Sequence, residues 1–314
     1  MTSPAALKAS KKPAELLALF KERGLQIEDE DRALHALKTL GYYRLTGYAY
    51  PLRQTDPFTP GFFKEGATLS LVVELAKFDK QLRLLALNGL ETIELAVRVA
   101  IANRLGALDP EAHLNPKLLD GRFSQVRTHD QKSPFEHWKS QYEEKLLISK
   151  EEFVQHHRIH YGGRLPIWVA VELWDFGMIS KFFAGMASRD RNHIAGQLGA
   201  CDGEILKSWL RMFNFVRNVS AHHARLWNRR NIETAELPPV DRCRWLIPLH
   251  QQPDSRSKLY GAFSCIALML RTISPGSTWL SEVKHHMAGF PQSDLVSIKA
   301  AGFQMEWQDE PLWK

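Results

Sequence analysis

The chain has 314 residues, 44% of them hydrophobic, enough to bury one substantial core or two modest ones without a disulfide or metal staple. Its three cysteines, Cys201, Cys243 and Cys265, are too few and too scattered for a disulfide framework and form no Cys-x-x-Cys pair, which excludes a secreted disulfide scaffold and fits a reducing cytoplasm. A formal charge of +6 favours a polyanionic partner, because a basic surface concentrates a polyanion and releases its counterions on binding.

The stretch from Met1 to Pro13 carries Lys8, Lys11 and Lys12 but leads into no apolar signal-peptide region, and nowhere do about eighteen apolar residues run together. Neither secretion nor a membrane partner is therefore expected. Through most of the chain, apolar residues spaced by three and four predict amphipathic helices. Leu16, Leu17, Leu19 and Phe20 open the first, which Gly24 ends; Asp31 to Leu40 forms a second, stopped by Gly41. The aromatic run Tyr42 to Tyr50 is the best candidate for a short strand. Its Tyr42, Tyr43, Arg44, Tyr48 and Tyr50, with Arg53, suit base stacking and phosphate contact, although packing of a terminal subdomain is the commoner role.

A long helical tract follows from Leu69 to Leu105, with Gly89 as a point of division into two helices. The polar, Pro- and Gly-punctuated stretch from Gly106 to Pro134 reads as an insertion with little regular structure. Helical pattern resumes at Phe135 to Leu147, Lys150 to Tyr161, Ile167 to Phe176, Ile179 to Met186, Asp190 to Leu198 and Glu204 to Trp227. His156 and His160 have the i, i+4 spacing of a zinc pair, beside His157, but lack the further ligands that a zinc site needs. No metal and no cofactor is predicted. Gly162-Gly163 reads as a helix terminator, and Trp168 and Trp174 as core. The apolar stretch Leu259 to Ile273 suits a core helix and is too short to span a bilayer. The expected fold is all-α: an N-terminal subdomain over 1–66, a helical bundle over 67–232 with its insertion near 106–134, and a C-terminal helical extension over 233–314.

Chemistry concentrates on the helix from Glu204 to Trp227. At about 100° per residue, Leu206, Trp209, Leu210, Phe213 and Val216 form the core face. Arg211, Asn214, Asn218, His222 and Arg225 fall opposite, within an arc of roughly 80°. Arg217 lies beside the apolar face, about 140° from His222, so the two do not converge on a straight helix. An Arg-x-x-x-x-His spacing arises about once by chance in a chain of this composition, and a polar stripe is usually a solvated helix face. This stripe differs in carrying Asn, His and Arg; no Lys or Glu occurs from Ser208 to Asn231, and His223, Asn228, Arg229 and Arg230 follow at once.

Over nearly its whole length the sequence resembles the Abi-like abortive-infection proteins of the AbiD/AbiF type, within the HEPN superfamily of helical ribonucleases. The resemblance rests on Leu40-Gly41-Tyr42-Tyr43-Arg44-Leu45-Thr46-Gly47-Tyr48, and on Asn88-Gly89-Leu90-Glu91-Thr92-Ile93-Glu94 with Arg98. It continues through Pro166-Ile167-Trp168-Val169-Ala170-Val171-Glu172 with Phe176-Gly177, then Val216 to Asn228, and finally Pro311-Leu312-Trp313. The superfamily motif of Arg, a polar residue and a later His falls on Arg217, Asn218 and His222.

The resemblance implies a HEPN-like bundle that pairs as a homodimer, bringing two motifs into one composite site; either Arg217 acts with His222 of the other subunit, or a break near Ser220 turns the two together on one chain. It also implies RNA cleavage by attack of the 2′-hydroxyl on the adjacent phosphate, leaving a 2′,3′-cyclic phosphate and a 5′-hydroxyl, with no metal required. In that scheme His222 moves protons, since an unperturbed imidazole titrates near 6.5. Arg217 holds the phosphate and offsets transition-state charge, and Asn218 orients the imidazole or the phosphate. Arg211, Asn214, His223, Arg225, Asn228 and Arg229 are the expected RNA-binding residues. The implied role is that of a toxin in phage defence, restrained by a regulatory or antitoxin RNA or protein. Two other readings fit the same stripe: a non-catalytic RNA-binding module of a regulatory ribonucleoprotein, and a helical interaction protein whose stripe is only a dimer contact.

Overall fold

In the computed structural model, residues 9–56, 58–59, 61–126 and 131–314 are described; Lys8 in the basic N-terminal stretch and residues 127–130 of the insertion lie outside them. The apolar periodicity is realised as fourteen α-helices, with isolated β-bridges but no strand among the described residues, so the fold is all-α.

Helices α1 (Pro13–Glu22) and α2 (Glu30–Leu40) pack on each other, α2 starting where the Asp29 side chain accepts the Arg32 N–H. Gly41, at φ 81°, ends α2 and opens α3 (Tyr42–Ala49). The run expected as a strand is thus helical. Leu45, Tyr48 and Ala49 face inward at a helical spacing, and packing of that face on the next helix outweighs the β-preference of its aromatics.

That next helix, α4 (Leu69–Gly106), is the axis of the molecule, 38 residues long and so roughly 57 Å at the α-helical rise. Thr68 caps it by accepting the Leu71 N–H at 3.1 Å. Gly89 does not divide it. A Cβ there would lie 2.8 Å from Trp279 Nε1 and 2.9 Å from Ile266 Cγ2, so the glycine marks a close approach of later helices rather than a break. The insertion holds three single 3-10 turns, Ala112–Leu114, Pro116–Leu118 and Gly121–Phe123. It is pinned by buried His113 and Phe123 and by the Asp120 N–H donated to the Gly185 carbonyl at 2.9 Å.

Next come α5 (Pro134–Ile148), started by a Ser133 and Glu136 capping box, and α6 (Glu152–His160). The helix expected over Ile167 to Phe176 is cut to α7 (Ile167–Ala170) plus a 3-10 turn, because Asp175 turns extended to cap α8 (Phe176–Gly185). Trp174 is buried, but Trp168, on the outer side of α7, is exposed and not core. After α9 (Ser188–Gln197) and α10 (Gly203–Ala221) come the short α11 (Ile247–Gln251) and α12 (Pro253–Arg256), then α13 (Leu259–Ile273) and α14 (Trp279–Ala288). Helices α3, α10, α13 and α14 all pack on α4. One apolar cluster runs from Leu17 to Trp313 and includes Trp138, Trp209, Trp227 and Trp279. No helix among the described residues is long and apolar enough to cross a membrane.

Candidate active site

The site grows from α10. Asp202 caps the helix by accepting the Glu204 and Ile205 N–H groups, and Leu206, Trp209, Leu210, Phe213 and Val216 are buried against α4, α8 and α9. The opposite face is left to line an open cleft of about 550 Å³. Arg211, Asn214, Asn218 and His222 line it from α10, Ser180 and Lys181 from α8, and Arg229 and Glu233 from the chain beyond. Asn218 Nδ2 donates to Asn214 Oδ1 at 3.4 Å, and Arg217 Nη1 donates to Asn218 Oδ1 at 3.4 Å. Arg217 therefore joins the cleft through Asn218 without lining it. His222 is exposed and open to a ligand.

Arg217 sits among carboxylates. Burial pushes the Glu94 carboxyl up while Arg98 and Arg217 pull it back. Burial also raises Asp175, but the Met178 N–H, Lys145 and Arg217 outweigh it and hold that group below its ordinary value. Arg98 ties this wall together, donating to Glu94 and to the Trp174 carbonyl at 2.7 Å.

The helix stops earlier than its periodicity implies. His222 is its C-cap, and His223, at φ 57°, reverses the chain. The Ala224 N–H bonds to the Val219 carbonyl at 2.9 Å and the His223 N–H to Ser220 at 3.1 Å, the paired bonds of a Schellman turn with histidine where glycine usually stands. Arg225 consequently leaves the stripe. Its half-buried guanidinium donates to the Gly47 carbonyl of α3. Asn228 is half-buried, its Oδ1 without a partner among the described residues.

What fixes this exit is Asp79 of α4, a residue outside the expected site. Its fully buried carboxylate accepts the Leu226 N–H at 3.0 Å, the Trp227 N–H at 2.7 Å and the Tyr48 hydroxyl at 2.6 Å, and pairs with Arg83. Burial pushes this carboxyl up, and its donors pull it back. An acidic residue on the apolar face of α4, between Leu75 and Leu82, was the available signal.

A second cleft adjoins the first, sharing Ala224 and Arg229 with it. Tyr43, Arg44, Gly47, Tyr48, His223 and Arg225 complete its lining. A third, beneath the insertion, includes Arg122, Phe123, Trp138 and Arg191 and holds no residue of the Arg217 to His222 segment. Among the described residues no three His, Cys, Asp or Glu side chains converge as a metal site. The His156 and His160 rings lie 4.5 Å apart, while His157 Nδ1 is bonded to the Phe153 carbonyl at 2.8 Å.

An imidazole, two amides and several cations around an open cleft can hold a phosphodiester and move protons at it. A family described as Abi-like protein matches residues 35–228, more than half of the chain, from α2 through α10 to Asn228. No curated protein and no solved structure matches it.

Proposed function

The chain belongs to the Abi-like protein family, and from that premise we propose that it is a cytoplasmic endoribonuclease of the HEPN type, a toxin in abortive-infection defence against phage. The observation that carries the reading is the cleft in which His222, Asn218, Asn214, Arg211 and Arg229 meet.

In the proposed reaction the substrate's 2′-oxygen bonds to phosphorus and the phosphorus to 5′-oxygen bond breaks. His222 takes up the 2′-hydroxyl proton, and the departing 5′-oxygen receives a proton from a second His222 or from water. Arg217 stabilises charge on the phosphoryl oxygens, which a fixed guanidinium does well. Because Arg217 stands on the flank of the His222 cleft, a homodimer that supplies Arg217 from one subunit and His222 from the other completes the centre. Arg211, Asn214, His223, Arg225, Asn228 and Arg229 are assigned to RNA binding, and a regulatory or antitoxin RNA or protein to restraint.

Labelled single-stranded RNA incubated in EDTA with wild type and with His222→Ala tests the reading. Wild type is expected to leave 2′,3′-cyclic phosphate and 5′-hydroxyl ends, and the variant to bind without cutting. Equal cleavage by both proteins, or cleavage that EDTA abolishes, overturns it. Binding without cleavage by wild type instead favours the RNA-binding module.

A further inference from the structure

Core packing explains Tyr42 and Tyr48, but not Tyr43. Tyr42 packs on Phe20 at 4.9 Å between ring centroids, and Tyr48 is buried on Asp79. Tyr43, on the first turn of the same helix, is 83% exposed. Its ring stands nearly perpendicular to that of Tyr42, at 6.0 Å and 81°, which supports the side chain while most of its surface stays open to solvent. The backbone beneath is rigidly held, by Arg225 on the Gly47 carbonyl and by Tyr48 on Asp79.

Around this ring the charge is of one sign. Arg44, Arg225 and Arg229 line the cleft beside Tyr43, together with the His223 imidazole, and no carboxylate does among the described residues. Its volume of about 320 Å³ is at the small end of the range for ligand sites. Arg229 and Ala224 belong both to this cleft and to that of His222, so the two clefts adjoin.

We propose that the α3 cleft is a nucleobase subsite, in which Tyr43 stacks one unpaired base of an RNA strand while Arg44 and Arg229 hold the flanking phosphates. A base can stack on a side chain only when it has left its own helix, so the subsite selects single-stranded RNA over duplex. The proposal rests on the reading that RNA occupies the His222 cleft, and it extends that reading from chemistry to substrate class.

The test is made in the His222→Ala background, where binding is measured without turnover, using a fluorescent single-stranded RNA and its duplex at fixed salt. Adding Tyr43→Ala is expected to weaken single-strand binding roughly 5- to 150-fold, the range of one base–aromatic stack. Tyr43→Phe and Tyr43→Trp should bind like the parent, because the ring and not the hydroxyl does the work. Duplex should bind more weakly than single strand to the parent and lose little on Tyr43→Ala. Single-strand binding unchanged by Tyr43→Ala, or weakened equally by Tyr43→Phe, overturns the subsite. If wild type cuts RNA and Tyr43→Ala binds normally, this proposal alone fails. Tyr43-dependent binding by a wild type that never cuts supports the subsite and removes the nuclease.

Discussion

His113 shows how far a residue's environment can depart from what its neighbours in sequence imply. It lies in a polar insertion, yet its ring is fully buried, edge-on to Tyr142 at 5.2 Å, and neither ring nitrogen has a partner among the described residues. Burial lowers its pKa from 6.5 to about 4. Between those values the unfolded chain binds a proton that the folded chain refuses. The stability His113 contributes is therefore present above about pH 6.5 and lost as pH falls toward 4, a difference on the order of 3 kcal/mol. Urea melts at pH 7 and 4.5 should show a smaller loss for His113→Phe than for wild type; an identical loss would contradict this. The role of Asp79 is not legible in the sequence for a related reason. Its backbone partners Leu226 and Trp227 lie far along the chain, and spacing reports only local neighbours. The polar stripe on α10 was legible because Arg211, Asn214, Asn218 and His222 follow the helical period that the core face also obeys.

Elements whose apolar spacing spans several turns are legible in type, and their ends less so. The aromatic run from Tyr42 to Tyr50 is misleading because Tyr43 of α3 and Tyr50 just beyond it are exposed while Leu45, Tyr48 and Ala49 set the buried face. Gly89 pointed to a break in α4, but only the fold reveals that Trp279 needs the space. The end of α10 was hidden by the absence of a glycine, since His223 takes the left-handed position itself. That conformation costs a non-glycine residue about 1 kcal/mol or more. His223→Gly is accordingly expected to raise unfolding stability by roughly 1 kcal/mol in urea. A variant no more stable than wild type would show that the histidine ring makes a compensating contact in the folded protein.

At the scale of the whole molecule, the all-α class was legible from periodicity, whereas the route by which distant elements build one site was not. Tyr48 of α3, Asp79 of α4 and the chain after α10 meet in one buried cluster that holds the His222 and Tyr43 clefts side by side. The centre for RNA cleavage is proposed to draw on two chains, and this gives its most direct measurement. Arg217→Ala and His222→Ala, each expected to be inactive alone, are mixed, allowed to exchange subunits and assayed on labelled RNA in EDTA. A mixed dimer pairs the intact Arg217 of one chain with the intact His222 of the other, so the mixture should recover about a quarter of wild-type cleavage from random pairing into twofold dimers. A mixture as inactive as its components, or either variant cutting RNA as wild type does, would contradict the account.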